Sequence, residues 1–408
     1  MPEPVASDRA VCGEFVDFAG SRHYVIRNVD RMPPFLVSVI SSSDHWLFVS
    51  STGGLTAGRV SPDTALFPYV TDDKLHEIGL HTGPRTIVRI DVDGQPILWE
   101  PFNLEQHGRF ATSRNLYKSM GGDRLCFEEI NHDLELLFRY TWLTSDRLGF
   151  VRRCELQHLG SASRTVTVLD GLQNILPAGT PRFTQTNSSN LVDAYKWTEL
   201  DGDSGLALFT LYAGITDRAE PCESLKANVA YCLGFDAPTI LLSSAQVEHF
   251  CRGEPLRHES HRRGVRGAFL VSKRLWLEPG STQSWDIVCD LELSQKKVVD
   301  LQIQLAEPAT LAGLLEASIS RGSDALARIM ARCDGFEATA EEHVTAHHYA
   351  NVLFNVLRGG YFPDQYRVSA RDFHDTIRTF NKVVHSRAIA LLDSLPETIE
   401  YPELLTRV

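Results

Sequence analysis

Several signals are missing from this 408-residue chain, and each absence narrows what it can be. No apolar run approaches the ~20 residues that span a bilayer, so no membrane partner is expected. The opening MPEPVASDRAVCGEF carries no basic patch ahead of an apolar stretch, as a secretory signal would. Positive charge is in deficit: 40 Lys+Arg against 52 Asp+Glu leave a net charge of −12, and bulk charge gives nucleic acid no purchase. The eight Cys (Cys12, Cys126, Cys154, Cys222, Cys232, Cys251, Cys289 and Cys333) include no C-x-x-C pair, which counts against a zinc ribbon or a thioredoxin-like motif. Scattered thiols of this kind read as reduced and cytoplasmic. Neither a G-x-x-x-x-G-K-[ST] nor a G-x-G-x-x-G phosphate loop occurs, nor a G-x-S-x-G serine elbow.

What is present is ordinary globular composition, 43% hydrophobic and 23% charged, in a length that suits two or three domains. From about residue 10 to 291 the apolar pattern has period two. YVIRNV, FLVSVIS and HWLFVSS are short β-branched and aromatic runs separated by turn chemistry. RTIVRIDV and PILWEPF flank Asp93-Gly94, a strong hairpin signal. In FVRRCELQHL the residues Val151, Cys154, Leu156 and Leu159 do not alternate cleanly, which predicts a bulge or a switch of face. With no long amphipathic helix between them, so many strands imply a large antiparallel sandwich.

From about 294 the period becomes 3.6. Ser294 is a candidate N-cap for SQKKVVDLQIQL, and Gly322 a candidate break in the helix that follows. AEEHVTAHHYANVLFNVLRGG ends on a glycine pair, and one helix is expected from Ser369 to Leu395. The expected division is a sandwich over 1–293, a helical linker over 294–336 and the start of an α-helical domain over 337–408. A few helices ending at YPELLTRV cannot enclose their own apolar stripes, so the helical domain is expected to be unfinished.

His343 and His347 share a helix face, but the glutamate of an H-E-x-x-H site is replaced by Val344 and no third ligand is evident, so no metal is expected. CRGEPLRHESHRRGVRG places Arg257, Arg262 and Arg263 in one loop, where guanidinium forks suit phosphate or carboxylate oxygens. The glycines of STGGLTAGR are expected to permit positive φ between strands. Among the carboxylates, Asp72, Asp73, Glu128, Glu129 and Asp170 stand out, since glycosidic chemistry needs acids beside the bond. Glu128 and Glu129 are neighbours on a strand and face opposite ways, so they cannot act as one pair. Arg59, Asp72, Asp73, Glu128 and Trp197 are the candidate sugar contacts, with Trp197 in an irregular segment. Arg257, Arg262 and Arg263 are the candidate anion contacts.

FLVSVISSSDHWLFVSSTGG followed by RTIVRIDVDGQPILWEPFN resembles the N-terminal β-sandwich of the cellobiose and chitobiose phosphorylases, glycoside hydrolase family 94. Ser51-Thr52-Gly53-Gly54 and Trp99-Glu100-Pro101 stand where that family has its S-N-T-G-G turn and its Trp-Pro strand end. The resemblance implies a galactose mutarotase-like super-sandwich, then a helical linker and the first helices of an incomplete (α/α)6 barrel. It also implies inverting phosphorolysis of a β-linked saccharide, with inorganic phosphate as co-substrate and no other cofactor. A homodimer is implied, with the missing barrel supplied in cis or by a second chain. The family's catalytic Asp lies deep in the barrel and matches no residue here, so no catalytic residue is carried over. Two other classes remain open: a stand-alone carbohydrate-binding module, and a glycoside hydrolase using local carboxylates such as Asp73 and Glu128.

Overall fold

The computed structural model describes residues 10–92, 95–215, 225–333, 335–359 and 366–408. The Asp93-Gly94 turn, Cys222 and Gly360 lie outside the described residues. The chain divides into two compact units, Met1–Ser323 and Asp324–Val408.

The first unit begins with β1 (Cys12–Phe18), β2 (Ser21–Arg27), β3 (Leu36–Val39), β4 (His45–Ser50), β5 (Leu55–Arg59) and β6 (Gly83–Val92). It continues with β7 (Gln95–Trp99), β8 (Thr112–Ser119), β9 (Leu125–Asn131), β10 (Leu136–Ser145), β11 (Gly149–His158) and β12 (Arg164–Ile175). Two short helices, α1 (Arg182–Asn187) and α2 (Ser189–Tyr195), lead to β13 (Lys196–Asp201), β14 (Leu206–Leu211), β15 (Lys226–Leu233) and β16 (Thr239–Leu241). Then come α3 (Val247–Cys251), β17 (His261–Arg263), β18 (Gly267–Leu277), β19 (Thr282–Ser294) and α4 (Gln295–Leu305). The long helix α5 (Pro308–Arg332) contains the division between the units.

Among the described residues, eleven strands form one sheet in the order β1-β2-β8-β9-β10-β11-β19-β15-β14-β13-β17, and five form another, β16-β18-β12-β6-β7. All their pairings are antiparallel. The main core lies between them: Phe138, Cys154 and Trp285 of the large sheet pack with Val88, Val168 and Val271 of the smaller one. A three-stranded sheet, β3-β4-β5, adds Leu47, Val49 and Leu55 to the same cluster. The outer face of the large sheet is covered as well, where Val151, Val229 and Val288 meet Leu301, Leu311, Leu315 and Ile319 of α4 and α5.

That second cover explains one departure from the sequence reading. No bulge interrupts β11, which keeps one register against β10 from Gly149 to Ser145 through His158 to Leu136, and against β19. Phe150, Arg152, Cys154 and Leu156 all face inward, and Val151 serves the helical cover. A fully buried arginine at one inward position made a regular strand look irregular. Gly322 does not break α5 either; the stripe Leu311, Leu315, Ile319 holds the helix, outweighing the ~1 kcal/mol cost of a helical glycine. Ser294 does cap α4, accepting from the Lys297 backbone N–H at 3.5 Å.

The second unit holds α6 (Glu342–Gly359), β20 (Arg367–Ser369), α7 (Ala370–Phe380), α8 (Lys382–Asp393), β21 (Thr398–Glu400) and α9 (Tyr401–Arg407). The single helix expected from Ser369 to Leu395 is two helices. Asn381 sits between them at φ −150°, ψ 89°, and its side chain accepts from Val384 N–H, capping α8. Ser369 caps α7 through Asp372 N–H. The expected all-helical region also contains a strand pair, with Val368 opposite Ile399. Among the described residues no helix is long and apolar enough to cross a membrane.

Candidate functional site

The hairpin turn Ser51–Gly54 between β4 and β5 builds one wall of a pocket of about 270 Å3 in the first unit. Gly53 has φ +93°, and a Cβ on Gly54 would lie 2.0 Å from the Leu75 carbonyl oxygen, so the turn needs both glycines. The closeness clamps the 3-10 segment Asp73–His76 against the hairpin. Thr52 Oγ1 donates to the His76 carbonyl at 2.7 Å. Ser50 Oγ lies 2.7 Å from both Thr52 Oγ1 and His76 Nδ1. Since the Thr52 proton is already committed, Ser50 donates to Thr52 and His76 Nδ1–H donates to Ser50. His76 Nδ1 is thereby committed as a donor, and Nε2 is left for a ligand, as an acceptor in the Nδ1–H tautomer.

The opposite wall is the segment after β7. Glu100 receives Arg85 Nε at 3.0 Å on one oxygen and Asn103 Nδ2 at 3.0 Å on the other, while its own N–H donates to Gln106 Oε1 at 3.0 Å. The turn is held from behind by buried Glu129, which accepts from Trp99 Nε1 and Phe102 N–H, both at 2.7 Å, and from Arg114 Nε at 2.6 Å. Phe102 is kept at φ 66°, a left-handed conformation costly for a side chain of this size. Its ring meets Tyr140 edge-on at 5.3 Å.

The floor joins the two large sheets. Arg152 Nη1 donates to both oxygens of Asp170 at 2.7 and 2.9 Å, and both side chains are fully buried. Thr86 Oγ1 at 2.5 Å and Trp285 Nε1 at 2.7 Å complete the shell of Asp170. The Arg152 guanidinium lies 4.5 Å from the centre of the Tyr140 ring. Burial pushes the Tyr140 phenol well up, so it stays protonated, and its hydroxyl has no hydrogen-bond partner among the described residues. The pocket thus offers a carboxylate, an imidazole acceptor, a phenol, Arg85 and Gln173 around an apolar patch of Phe102 and Leu104. This is the alternation of polar edges and apolar faces that a polyol presents.

Arg85 and Gln173 also line a second, larger cleft of about 770 Å3, with His81, Arg262, Arg263 and Arg266. A bulge in β12 between Gln173 and Ile175 puts Asn174 at φ 58° on its wall, donating to Thr82 Oγ1 at 2.9 Å. His261 and Arg262 also line a neighbouring depression, together with Arg257, Glu254 and Glu259.

The sequence-derived candidates fall in different places. Arg262 and Arg263 line the larger cleft together, while Arg257 lies with Arg262 in the neighbouring depression, and the expected loop contains β17 and the end of α3. Trp197 is not in an irregular segment but on β13, and its ring carries the Arg263 guanidinium 3.8 Å from its centre. Arg59 is engaged away from the pocket, pairing with Asp44 and Asp290 at 2.8 Å each. Asp72 caps the rim 3-10 segment through Lys74 N–H, and Asp73 is exposed beside it. Glu128 is buried, accepting from Asn115 Nδ2 and Tyr117 hydroxyl at 2.9 Å, and does not line the pocket. His348 faces Glu337 at 3.3 Å, and among the described residues no three His, Cys, Asp or Glu side chains converge as a metal site would need. Glu100, His76, Tyr140 and Arg85 were not singled out by type. Their signal was position: Ser51–Gly54 and Trp99–Pro101, the two motifs carrying the family resemblance, meet at this pocket.

No family model matches the chain, and no curated protein matches it. Solved structures similar to it include a bacterial glucoamylase complexed with acarbose, at 9% identity and TM-score 0.38, over 78% of this chain and 41% of that one. A putative aldose 1-epimerase from Escherichia coli K12 is similar at 11% identity and TM-score 0.32, over 64% of this chain and 99% of that one. A putative kojibiose phosphorylase from human microbiome is similar at 9% identity and TM-score 0.32, over 76% of this chain and 32% of that one. The chain spans less than half the length of the glucoamylase. All three are carbohydrate-active by name. At these scores the likeness says nothing of what this chain binds, which rests on the pocket itself.

Proposed function

We propose that this chain is the saccharide-holding β-sandwich of a carbohydrate-active protein of the glycoside phosphorylase kind. The observation that carries the reading is the Glu100 pocket, with its clamped carboxylate, free phenol and imidazole acceptor. Glu100 and His76 Nε2 accept sugar hydroxyl protons, Tyr140 and Arg85 donate, and Phe102 faces the ring carbons. In this reading inorganic phosphate attacks the anomeric carbon, and the acid that protonates the departing oxygen comes from a helical barrel beyond these residues, in cis or in a dimer partner. The helices of Asp324–Val408 would begin that barrel.

The test is titration of the chain with cello- and chito-oligosaccharides, followed by tryptophan fluorescence. Glu100→Gln removes a charge-assisted acceptor and is expected to weaken binding about tenfold or more, with the melting temperature little changed. No signal at millimolar sugar would overturn the reading of the pocket. Formation of sugar 1-phosphate by the 408-residue chain alone would overturn the placement of the acid elsewhere.

A second reading has its own observation: Glu77 and Glu100 line the same pocket, so two carboxylates flank whatever it holds. It requires that the chain hydrolyse an aryl glycoside and that Glu77→Gln abolish this.

A further inference from the structure

We propose that the arginine cleft binds oxyanion groups carried by the saccharide itself, so that the ligand of the groove is an acidic saccharide, uronate-bearing or sulfated; this rests on the saccharide reading of the Glu100 pocket. Charge is the first ground. In a chain of net charge −12, the cleft is lined by Arg85, Arg262, Arg263, Arg266, His81 and His261 and by no Asp or Glu. Arg85 and Arg262 are partly neutralised by Glu100 and Glu259. Arg263 and Arg266 have no carboxylate partner among the described residues.

Positioning is the second ground. An exposed arginine is ordinarily a mobile, solvated side chain, but Arg263 is held. Its guanidinium lies over Trp197, and its Nε donates to His261 Nε2 at 3.0 Å, which leaves its terminal N–H groups for a ligand. Holding the fork before the ligand arrives lowers the ordering cost of binding.

Continuity is the third ground. Arg85 and Gln173 line both cavities, so the cleft adjoins the Glu100 pocket, and a saccharide longer than one residue that sits in the pocket can extend toward Arg263 and Arg266. The cleft of about 770 Å3 is far larger than one small anion requires, and four arginines are spread around it. Spaced cations along a groove suit an anion repeated along a polymer better than a lone ion.

The experiment compares a uronate trisaccharide, its neutral parent, a sulfated trisaccharide and inorganic phosphate by calorimetry on the whole chain at low and high salt. The uronate or sulfated ligand is expected to bind about tenfold or more tighter than the neutral parent at low salt, with the margin shrinking as salt rises. Which of the two binds tighter identifies the anionic group. The double variant Arg263→Ala, Arg266→Ala should erase that margin, weakening the acidic ligands far more than the neutral parent, while Arg263→Lys, Arg266→Lys retains part of it. Acidic ligands binding no tighter than the neutral parent would overturn the proposal. Inorganic phosphate binding as tightly as the acidic saccharides would overturn it too, by marking a free-ion site. Loss of neutral binding altogether would instead strike the pocket reading, which Glu100→Gln tests separately.

Discussion

In Met1–Ser323 the large sheet is covered on both faces, by the smaller sheets inside and by α4 and α5 outside. In Asp324–Val408 the strand pair β20–β21 anchors a small cluster of Val368, Ile399 and Leu404, while Phe380 is 85% and Val383 61% exposed. Helix α7 buries none of its residues, despite a clearly segregated apolar stripe. The two units draw on similar residue types, and what separates them is how many layers surround each element. A strand between two layers buries both its faces; a helix against one neighbour buries a single stripe. Stability should therefore be concentrated in the first unit.

The comparison can be sharpened conveniently, because all six tryptophans, from Trp46 to Trp285, lie in the first unit and report on it alone. The largest expected effect is from Asp170→Asn, which leaves the Arg152 charge buried without its partner and should cost about 3–5 kcal/mol in urea unfolding followed by fluorescence. A loss under 1 kcal/mol would mean that the floor of the pocket does not hold the two sheets together. Next is acid. Burial pushes the His45 imidazole down to about 4, with the nearby Arg59 charge adding to it. The unfolded chain therefore takes up a proton first. The His45 contribution to first-unit stability should be fully present above pH 6.5 and lost as the pH drops from 6.5 to about 4. At about 1.4 kcal/mol per pH unit the fall attributable to His45 is about 3 kcal/mol; it should be missing from the His45→Gln profile and appear in the difference between the wild type and that variant. The smallest effect belongs to the second unit: Ser369→Ala removes the α7 cap and should cost about 1 kcal/mol, seen in helical circular dichroism and not in fluorescence. A matching fluorescence shift would show that the two units unfold as one.

Much of this architecture could be read in the residues. The period-two pattern ends and the helical one begins at Ser294, where β19 hands over to α4. The caps Ser294 and Ser369 were visible because a short hydroxyl side chain ahead of an apolar repeat has few other uses. What escaped was set by long-range partners. Arg152 reads as a surface residue until Asp170, 18 positions on, supplies its counter-charge from another sheet. Gly322 reads as a break until α5 is seen held by its stripe on the sheet. The carboxylates chosen by type, Asp73 and Glu128, proved to be rim and buried groups, whereas Glu100 gained its setting from Arg85 and Asn103 through backbone turns that no local pattern encodes.

The Arg152–Asp170 pair has a consequence for how such a protein can change. Its neighbours Thr86 and Tyr140 line the pocket, while the pair itself fastens one sheet to the other. The base of the cavity is therefore closed to gradual remodelling, since an altered contact there unfastens the molecule. Any change in what the pocket accepts must arise from the loops at its mouth, around His76 and Asn103, where a residue can be exchanged without risk to the whole.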